Sequence, residues 1–361
     1  MISELEQFRN ETLAEGLVKA IRRYDGRPVS IMEVCGTHTM AISRYGIREL
    51  LPPNVRLISG PGCPVCVTPS FYLKSALELC RRENTIVATF GDMMRIPYKG
   101  ASLLTEKALG RDIRMVYSPL DSLDIARQHP DKTVIFLSVG FETTVPVTAI
   151  AVLEAAQQGL DNFMILSANK TIPAAMHLLS SDPEVAVDGF LYPGHVSAVI
   201  GSGLYEELAK AYGIPGAVTG FDPADILGSI LYVLEQIQDN KATVANLYSM
   251  VVQPGGNPIA RGKIDEVFEA SDAVWRGLGQ IPGSGLRLRE KYRSFDAWSL
   301  INGSVEERDE EARGCRCGDI LKGKCLPSDC KLFGKACTPE TPVGSCMVSS
   351  EGTCAAYYRY Q

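Results

Sequence analysis

Eleven cysteines in a chain of 361 residues are the side chains best able to do chemistry, and they are unevenly placed. Seven of them, Cys315, Cys317, Cys325, Cys330, Cys337, Cys346 and Cys354, crowd the C-terminal end. Cys35, Cys63, Cys66 and Cys80 lie early, and the middle of the chain has none. The tail around the seven is dense in Gly and Pro, with too few apolar residues in register to fold around a core of its own, so something must staple it. Zinc ligands usually come as paired Cys-x2-4-Cys knuckles. Here the intervals after Cys317 are seven, four, six, eight and seven residues, which fit that pattern poorly. Disulfides are disfavoured in a chain that reads as cytosolic. An iron–sulfur cluster on four thiolates is the best account, with zinc and plain structural thiols as alternatives. Three tail thiols are then left over, and a pair beside a cluster would form a dithiol that the cluster can reduce. Cys325, in a tight Gly-Lys-Cys-Leu-Pro turn, reads as a bystander.

Two early loops carry the remaining chemistry. In ISGPGCPVCVTPS a strand feeds a turn holding Cys63 and Cys66 at the entrance of a helix. Unpaired N–H groups and the helix dipole favour a thiolate there, which suits a dithiol–disulfide couple or a soft-metal clamp. In SIMEVCGTHTM a strand ends at Cys35, followed by Gly36, Thr37, His38 and Thr39. One thiolate and one imidazole can hold or polarise a transition metal without completing its coordination. The Cys35 strand immediately precedes the one leading to Cys63, so adjacent strands would bring three thiols to one rim. His38 is too close in sequence to Cys35 to act as the base of a cysteine hydrolase. His129, His177 and Cys80 read as structural, and His195 stays open between structure and site. Asp92 and Glu142, at strand ends, read equally well as site acids or as helix-start charges.

These loops need a scaffold. Short apolar runs rich in β-branched residues, VSIMEV, VRLIS, TIVATF, IRMVY, TVIFLSV, FMILSA, GFLY and GAVT, recur between helical patterns, the signature of an α/β fold with parallel sheets. All but IRMVY run straight into an unusual loop, where open α/β sheets place ligands. Turn chemistry near Ser118 and Pro119 suggests a division into two sheets. Asp222 to Trp298 reads as mostly helical, broken at QPGGNP and IPGSG. The charge run from Glu306 to Arg313 reads as a solvated linker bounding the cysteine module. The expected domains are therefore 1–120, 121–300 and 301–361.

The net charge of −6 argues against a phosphate-backbone partner, so no nucleic-acid binding is expected. The N-terminus is charged and amphipathic, and no run of eighteen apolar residues occurs, so the chain reads as cytoplasmic with no membrane span. No phosphate-binding loop of the G-x-x-x-x-G-K-[ST] type is present.

Taken together, Cys35-Gly36-Thr37-His38-Thr39, Gly60-Pro61-Gly62-Cys63-Pro64-Val65-Cys66, FGDMMR, VGFETT and the ending from Cys315-Arg316-Cys317-Gly318 through CMVSSEGTCAAYY resemble the HypD family of hydrogenase maturation factors along the whole chain. The resemblance implies two Rossmann-like α/β domains plus a terminal module holding a [4Fe-4S] cluster. It also implies a HypC-type small chaperone and a HypE-type partner that brings cyanide as a thiocyanate. On such a scaffold a ferrous ion acquires cyanide and carbon monoxide before passing to the large subunit of a nickel-iron hydrogenase. By the same resemblance Cys35 is the ligand of that iron, Cys63 and Cys66 are the nearby redox dithiol, Cys315, Cys330, Cys337 and Cys354 hold the cluster, and Cys317 and Cys346 form a second redox pair. The loop Ala168-Asn169-Lys170 departs from the histidine usual in the family, and no role is assigned to it. A stand-alone iron–sulfur disulfide reductase and a zinc-stabilised interaction module are the competing readings.

Overall fold

The computed structural model describes residues 2–301, 309 and 312–360, with side chains from residue 11 onward. All eight expected strands form: β1 Val29–Glu33, β2 Val55–Ser59, β3 Thr85–Thr89, β4 Ile113–Met115, β5 Thr133–Ser138, β6 Phe163–Ser167, β7 Gly189–Pro193 and β8 Gly216–Thr219. A ninth, β9 Val244–Asn246, was not expected; it has three half-buried residues and no apolar run to announce it. The strands build two parallel sheets, ordered β2-β1-β7-β8-β9 and β4-β3-β5-β6. Strands β3, β5 and β7 are buried along almost their whole length, as parallel strands covered on both faces must be.

The α/β class and the two Rossmann-like sheets match the reading of the sequence, but the sheets do not divide the chain at 120. β3 pairs with β5 across that point, Thr85 opposite Thr133, and β1 pairs with β7, Ile31 opposite Gly189. The first sheet therefore takes strands from 29–59 and 189–246, and the second is the segment between them. Turn residues mark where a strand ends and carry no information on which sheet the next strand joins.

A second correction concerns Asp222 to Trp298. Two helices, Pro223–Gln238 and Pro258–Val267, are followed by an antiparallel hairpin of β10 Phe268–Trp275 and β11 Gly279–Leu288. Glu, Ser and Asp in the first strand and Pro and Gly in the second hid the pattern. The hairpin is held from outside: Thr171 N–H donates to the Ser284 carbonyl at 2.9 Å and Ser167 Oγ donates to the Leu286 carbonyl at 2.9 Å. The register shifts between Ser271 and Ala273.

One apolar cluster joins Met32, Val34 and Tyr192 of the first sheet to Val87, Ile135 and Leu137 of the second, and includes Cys317, Cys346, Met347 and Cys354 of the tail. Each fully buried large side chain contributes roughly 1.5–3 kcal/mol. The tail thus borrows the core of the sheets. Of the charge run, only Asp309, Ala312 and Arg313 lie within the described residues, so its reading as a linker falls outside them. Asp309 itself accepts from the Ser70 N–H at 2.9 Å. No helix among the described residues is long and apolar enough to cross a membrane.

Candidate thiol and metal centre

β1 and β2 run parallel and in register from Val29 opposite Val55 to Glu33 opposite Ser59, so their loops leave the same sheet edge side by side. The Gly36 N–H donates to the Gly62 carbonyl at 3.0 Å, closing the two loops together. A side chain at Gly62 would strike the Cys35 backbone, which is why glycine stands there. Cys35, Cys63 and Cys66 are all buried. Cys35 ends in extended conformation (φ −146°, ψ 125°) just before the helix Gly36–Arg44. Burial pushes its thiol up to about 11, opposed by the His38 and Thr37 N–H groups that face it. Metal coordination, which requires the thiolate, would reverse that shift.

His38 turns away from this rim. Its Nε2 lies 2.9 Å from the Gly220 carbonyl at the end of β8, and its ring stacks on Phe221 at 4.7 Å. Burial lowers it to about 4, so it is neutral and Nε2 carries the proton toward the carbonyl. His195 stacks on the same Phe221 ring, at 4.0 Å.

The tail folds down onto this rim. Thr37 Oγ1 donates to Glu351 Oε1 at 2.8 Å, and Arg48, ion-paired with buried Glu33 at 3.1 Å, lies over the Tyr357 ring at 4.6 Å. Ser345 Oγ donates to the Cys66 carbonyl at 2.8 Å. These contacts produce an unbroken line of thiols. Cys66 touches Cys63 and Cys346; Cys346 touches Cys66 and Cys317; Cys317 touches Cys354 and lies 3.2 Å from the Cys315 sulfur. Burial raises Cys66, whereas hydrogen bonds from Cys317 and Cys66 lower Cys346, making it the place where a thiolate is held.

Beyond Cys317 the line opens on a narrow apolar cavity walled by Cys315, Cys317, Cys330, Cys337 and Cys354. Gly344 lines it too, and a Cβ there would sit 2.6 and 2.8 Å from the Cys317 and Cys315 sulfurs. The Val343 N–H donates to Cys337 Sγ at 3.3 Å. Among the described residues no three His, Cys, Asp or Glu side chains converge on one metal-ion position. The thiols surround a space instead, which suits a polynuclear cluster that takes one thiolate per iron better than a single zinc ion. Soft sulfur donors, an apolar wall and an N–H aimed at sulfur all fit such a group.

Cys325 is buried outside this cavity, near Arg316. Cys80 donates to the Leu77 carbonyl within its own helix, and Asp92 is exposed. Asn169 and Lys170 are buried and line a cleft of about 620 Å³ against the β10–β11 hairpin, none of whose lining residues is a cysteine. Glu142 is buried as well, and is pushed up to about 7 by that burial. Reading by spacing missed Gly344, Ser345, Glu351 and Arg48. Ser345, Glu351 and Arg48 matter through contacts between the tail and the first sheet, some 280 or more residues apart in the chain, for which a single sequence carries no signal, and Gly344 through its closeness to the Cys315 and Cys317 sulfurs.

The profile of the HypD family, described as "Hydrogenase formation hypA family", matches residues 12–361. The chain is 46% identical to "Hydrogenase maturation factor HypD" of Rhodobacter capsulatus over 98% of its own length and 97% of the relative's. It is 45% identical to the protein of the same name from Cupriavidus necator, over 99% and 96%, and 43% identical to that of Escherichia coli, over 93% and 90%. With its thiol loops, its two sheets and its cysteine-rich tail, the chain belongs to the HypD family of hydrogenase maturation factors.

Proposed function

We propose that this protein is the scaffold on which the Fe(CN)2CO group of [NiFe]-hydrogenase is assembled, with the Cys35 rim as workplace and the tail as electron source. Ferrous iron, the substrate here, is held by the Cys35 thiolate together with a thiolate from a HypC-type chaperone. A soft, incomplete site of this kind leaves positions open for cyanide and carbon monoxide. Cyanide comes from a thiocyanate on a HypE-type partner, and its release requires two electrons. Cys63 and Cys66 provide them by closing a disulfide. Cys346, with its favoured thiolate, reopens that disulfide by attack on the Cys66 sulfur, and Cys317 resolves the mixed disulfide.

A [4Fe-4S] cluster on Cys315, Cys330, Cys337 and Cys354 would supply the electrons that return the Cys317–Cys346 pair to thiols. The observation that carries this reading is the continuous thiol contact from the β2 loop to the apolar cavity. A stand-alone disulfide reductase would use the same line, but it has no need of Cys35 at the edge of β1.

The test is an infrared spectrum of the anaerobically purified protein, co-produced with its small chaperone. Metal cyanide and carbonyl stretches are expected in the window free of protein bands. Their absence from a preparation that contains iron and sulfide would transfer the weight to the reductase.

A further inference from the structure

The cavity walled by the tail cysteines has two unlike sides. On the inner side Cys317 leads through Cys346 toward the rim. The outer side is a single turn of chain, residues 331–336, slung between Cys330 and Cys337. The Phe333 N–H donates to the Cys330 carbonyl at 3.0 Å, the Lys335 N–H to the Leu332 carbonyl at 3.1 Å and the Gly334 N–H to the Cys337 carbonyl at 3.1 Å, so the turn is closed on itself. Leu332 and Phe333 line the cavity and are only half-buried, whereas Lys331, Gly334, Lys335 and Ala336 are exposed. Gly314, also exposed, places its carbonyl 3.9 Å from the Cys330 sulfur. One layer of residues therefore separates the cavity from solvent on this side.

The charge of the chain reverses at the same place. Acids outnumber bases 42 to 36 over the whole sequence, yet residues 313–337 hold six Lys or Arg against two Asp, so this face attracts what the rest of the surface repels. Both acids are engaged: Asp319 pairs with Arg316 at 3.0 Å, and Asp329 accepts from the Leu326 N–H at 2.8 Å. Lys324 is tied to Glu184. Arg313, Lys331 and Lys335 stand exposed along the thin wall and meet no acidic partner among the described residues. Phe333, between the two lysines in the chain, meets the ring of Tyr358, 42% exposed, edge-on at 6.2 Å. An aromatic spot rimmed by charges of one sign is the anatomy of a protein interface.

We propose that the wall at 331–336 is the face through which electrons enter the tail, and that its partner is a small acidic protein carrying one electron at a time. The inference rests on the cluster reading above. In each encounter the carrier loses one electron and the cluster gains it, with no bond made or broken and no proton moved. A second encounter completes the pair that the Cys317–Cys346 disulfide needs. Opposite charges raise the encounter rate and turn the carrier toward the thin wall. The face lies at the opposite end of the thiol line from Cys35, which leaves the rim open to its own partners while the carrier is bound.

The experiment follows the visible absorbance of the cluster in the anaerobic full chain on rapid mixing with a reduced plant-type [2Fe–2S] ferredoxin, an acidic one-electron carrier. The wild-type rate is expected to fall as salt is raised, because screening weakens the attraction. Lys331→Glu combined with Lys335→Glu should slow transfer by about 10- to 100-fold at low salt and abolish the salt dependence. Reduced methyl viologen, a small cation, should reduce the same variant at least as fast as wild type, which a damaged cluster would not allow. Lys335→Gln removes one exposed charge, with about threefold slowing expected, and carries the test if the reversed pair fails to fold. Ferredoxin rates and salt dependence unchanged in the variants, or slowing shared equally by methyl viologen, overturn the inference alone. So does a wild-type cluster that methyl viologen reduces and the ferredoxin does not; a dimer that Lys331→Glu dissociates would then name a second copy of the chain as the occupant. Wild type without acid-labile sulfide overturns the cluster reading and this inference together.

Discussion

The rim of the first sheet and the cysteine tail present thiols in opposite ways. Cys35, Cys63 and Cys66 are placed by two in-register parallel strands and a helix start, all of which form from backbone hydrogen bonds and apolar burial. The tail between Cys315 and Cys354 has little regular structure beyond the short helix Cys317–Leu321 and the start of Thr353–Tyr360. Its order depends on the sheets it leans on and on what fills its cavity. On the function proposed above, the metal site at the rim is carried by the fold, whereas the one in the tail is itself part of what folds the segment.

The difference can be broken from either side. Cys330→Ala is expected to abolish the visible absorbance of the cluster and to expose 315–354 to proteolysis while the sheets persist; Cys35→Ala should leave both unchanged. Equal damage from the two would erase the distinction. Gly344→Ala places a methyl group against the Cys315 and Cys317 sulfurs, and should leave a substoichiometric cluster measurable as a lower sulfide content. Unaltered sulfide would mean that the cavity is not where the cluster sits.

Arg48 joins the two regions. Its removal leaves Glu33, which is fully buried, without its cation and frees the Tyr357 ring. A loss of about 3–5 kcal/mol is expected from denaturant unfolding, largely recovered when Glu33→Gln is added. Glu142 sharpens the comparison through pH. Its pKa of about 7 in the fold is above the ordinary 4.5, so the folded state holds a proton that the unfolded chain releases. Stability should be fullest below 4.5 and fall as pH rises to 7, by about 3 kcal/mol, and Glu142→Gln should flatten that fall. A profile identical in the variant would contradict it. Smallest of all, Ser345→Ala removes one buried hydrogen bond to Cys66 and should cost about 1 kcal/mol while slowing re-reduction of the Cys63–Cys66 disulfide.

The rim was legible in the sequence because its signals are local. Apolar runs such as TVIFLSV announce buried strands, and glycines beside cysteines announce close backbone approach. The assignment of strands to sheets was not legible, since the pairing of β1 with β7 spans more than a hundred residues and nothing near Ser118 reports it. The hairpin escaped because Gly283 and Pro282 read as a turn, whereas contacts from Ser167 and Thr171 hold them in a strand. In the tail, spacing fitted zinc knuckles poorly but could not order the thiols. That order comes from Ser345 and Glu351 docking against loops of the first sheet.

The central claim is that the iron at the rim and the cluster in the tail occupy separate thiols of one chain. Iron and acid-labile sulfide, measured together on anaerobic wild type and on Cys35→Ala, test it most directly. The account predicts one iron beyond those of the cluster in the wild type, and in the variant loss of that iron alone with sulfide unchanged. Iron and sulfide falling in proportion in Cys35→Ala would contradict it.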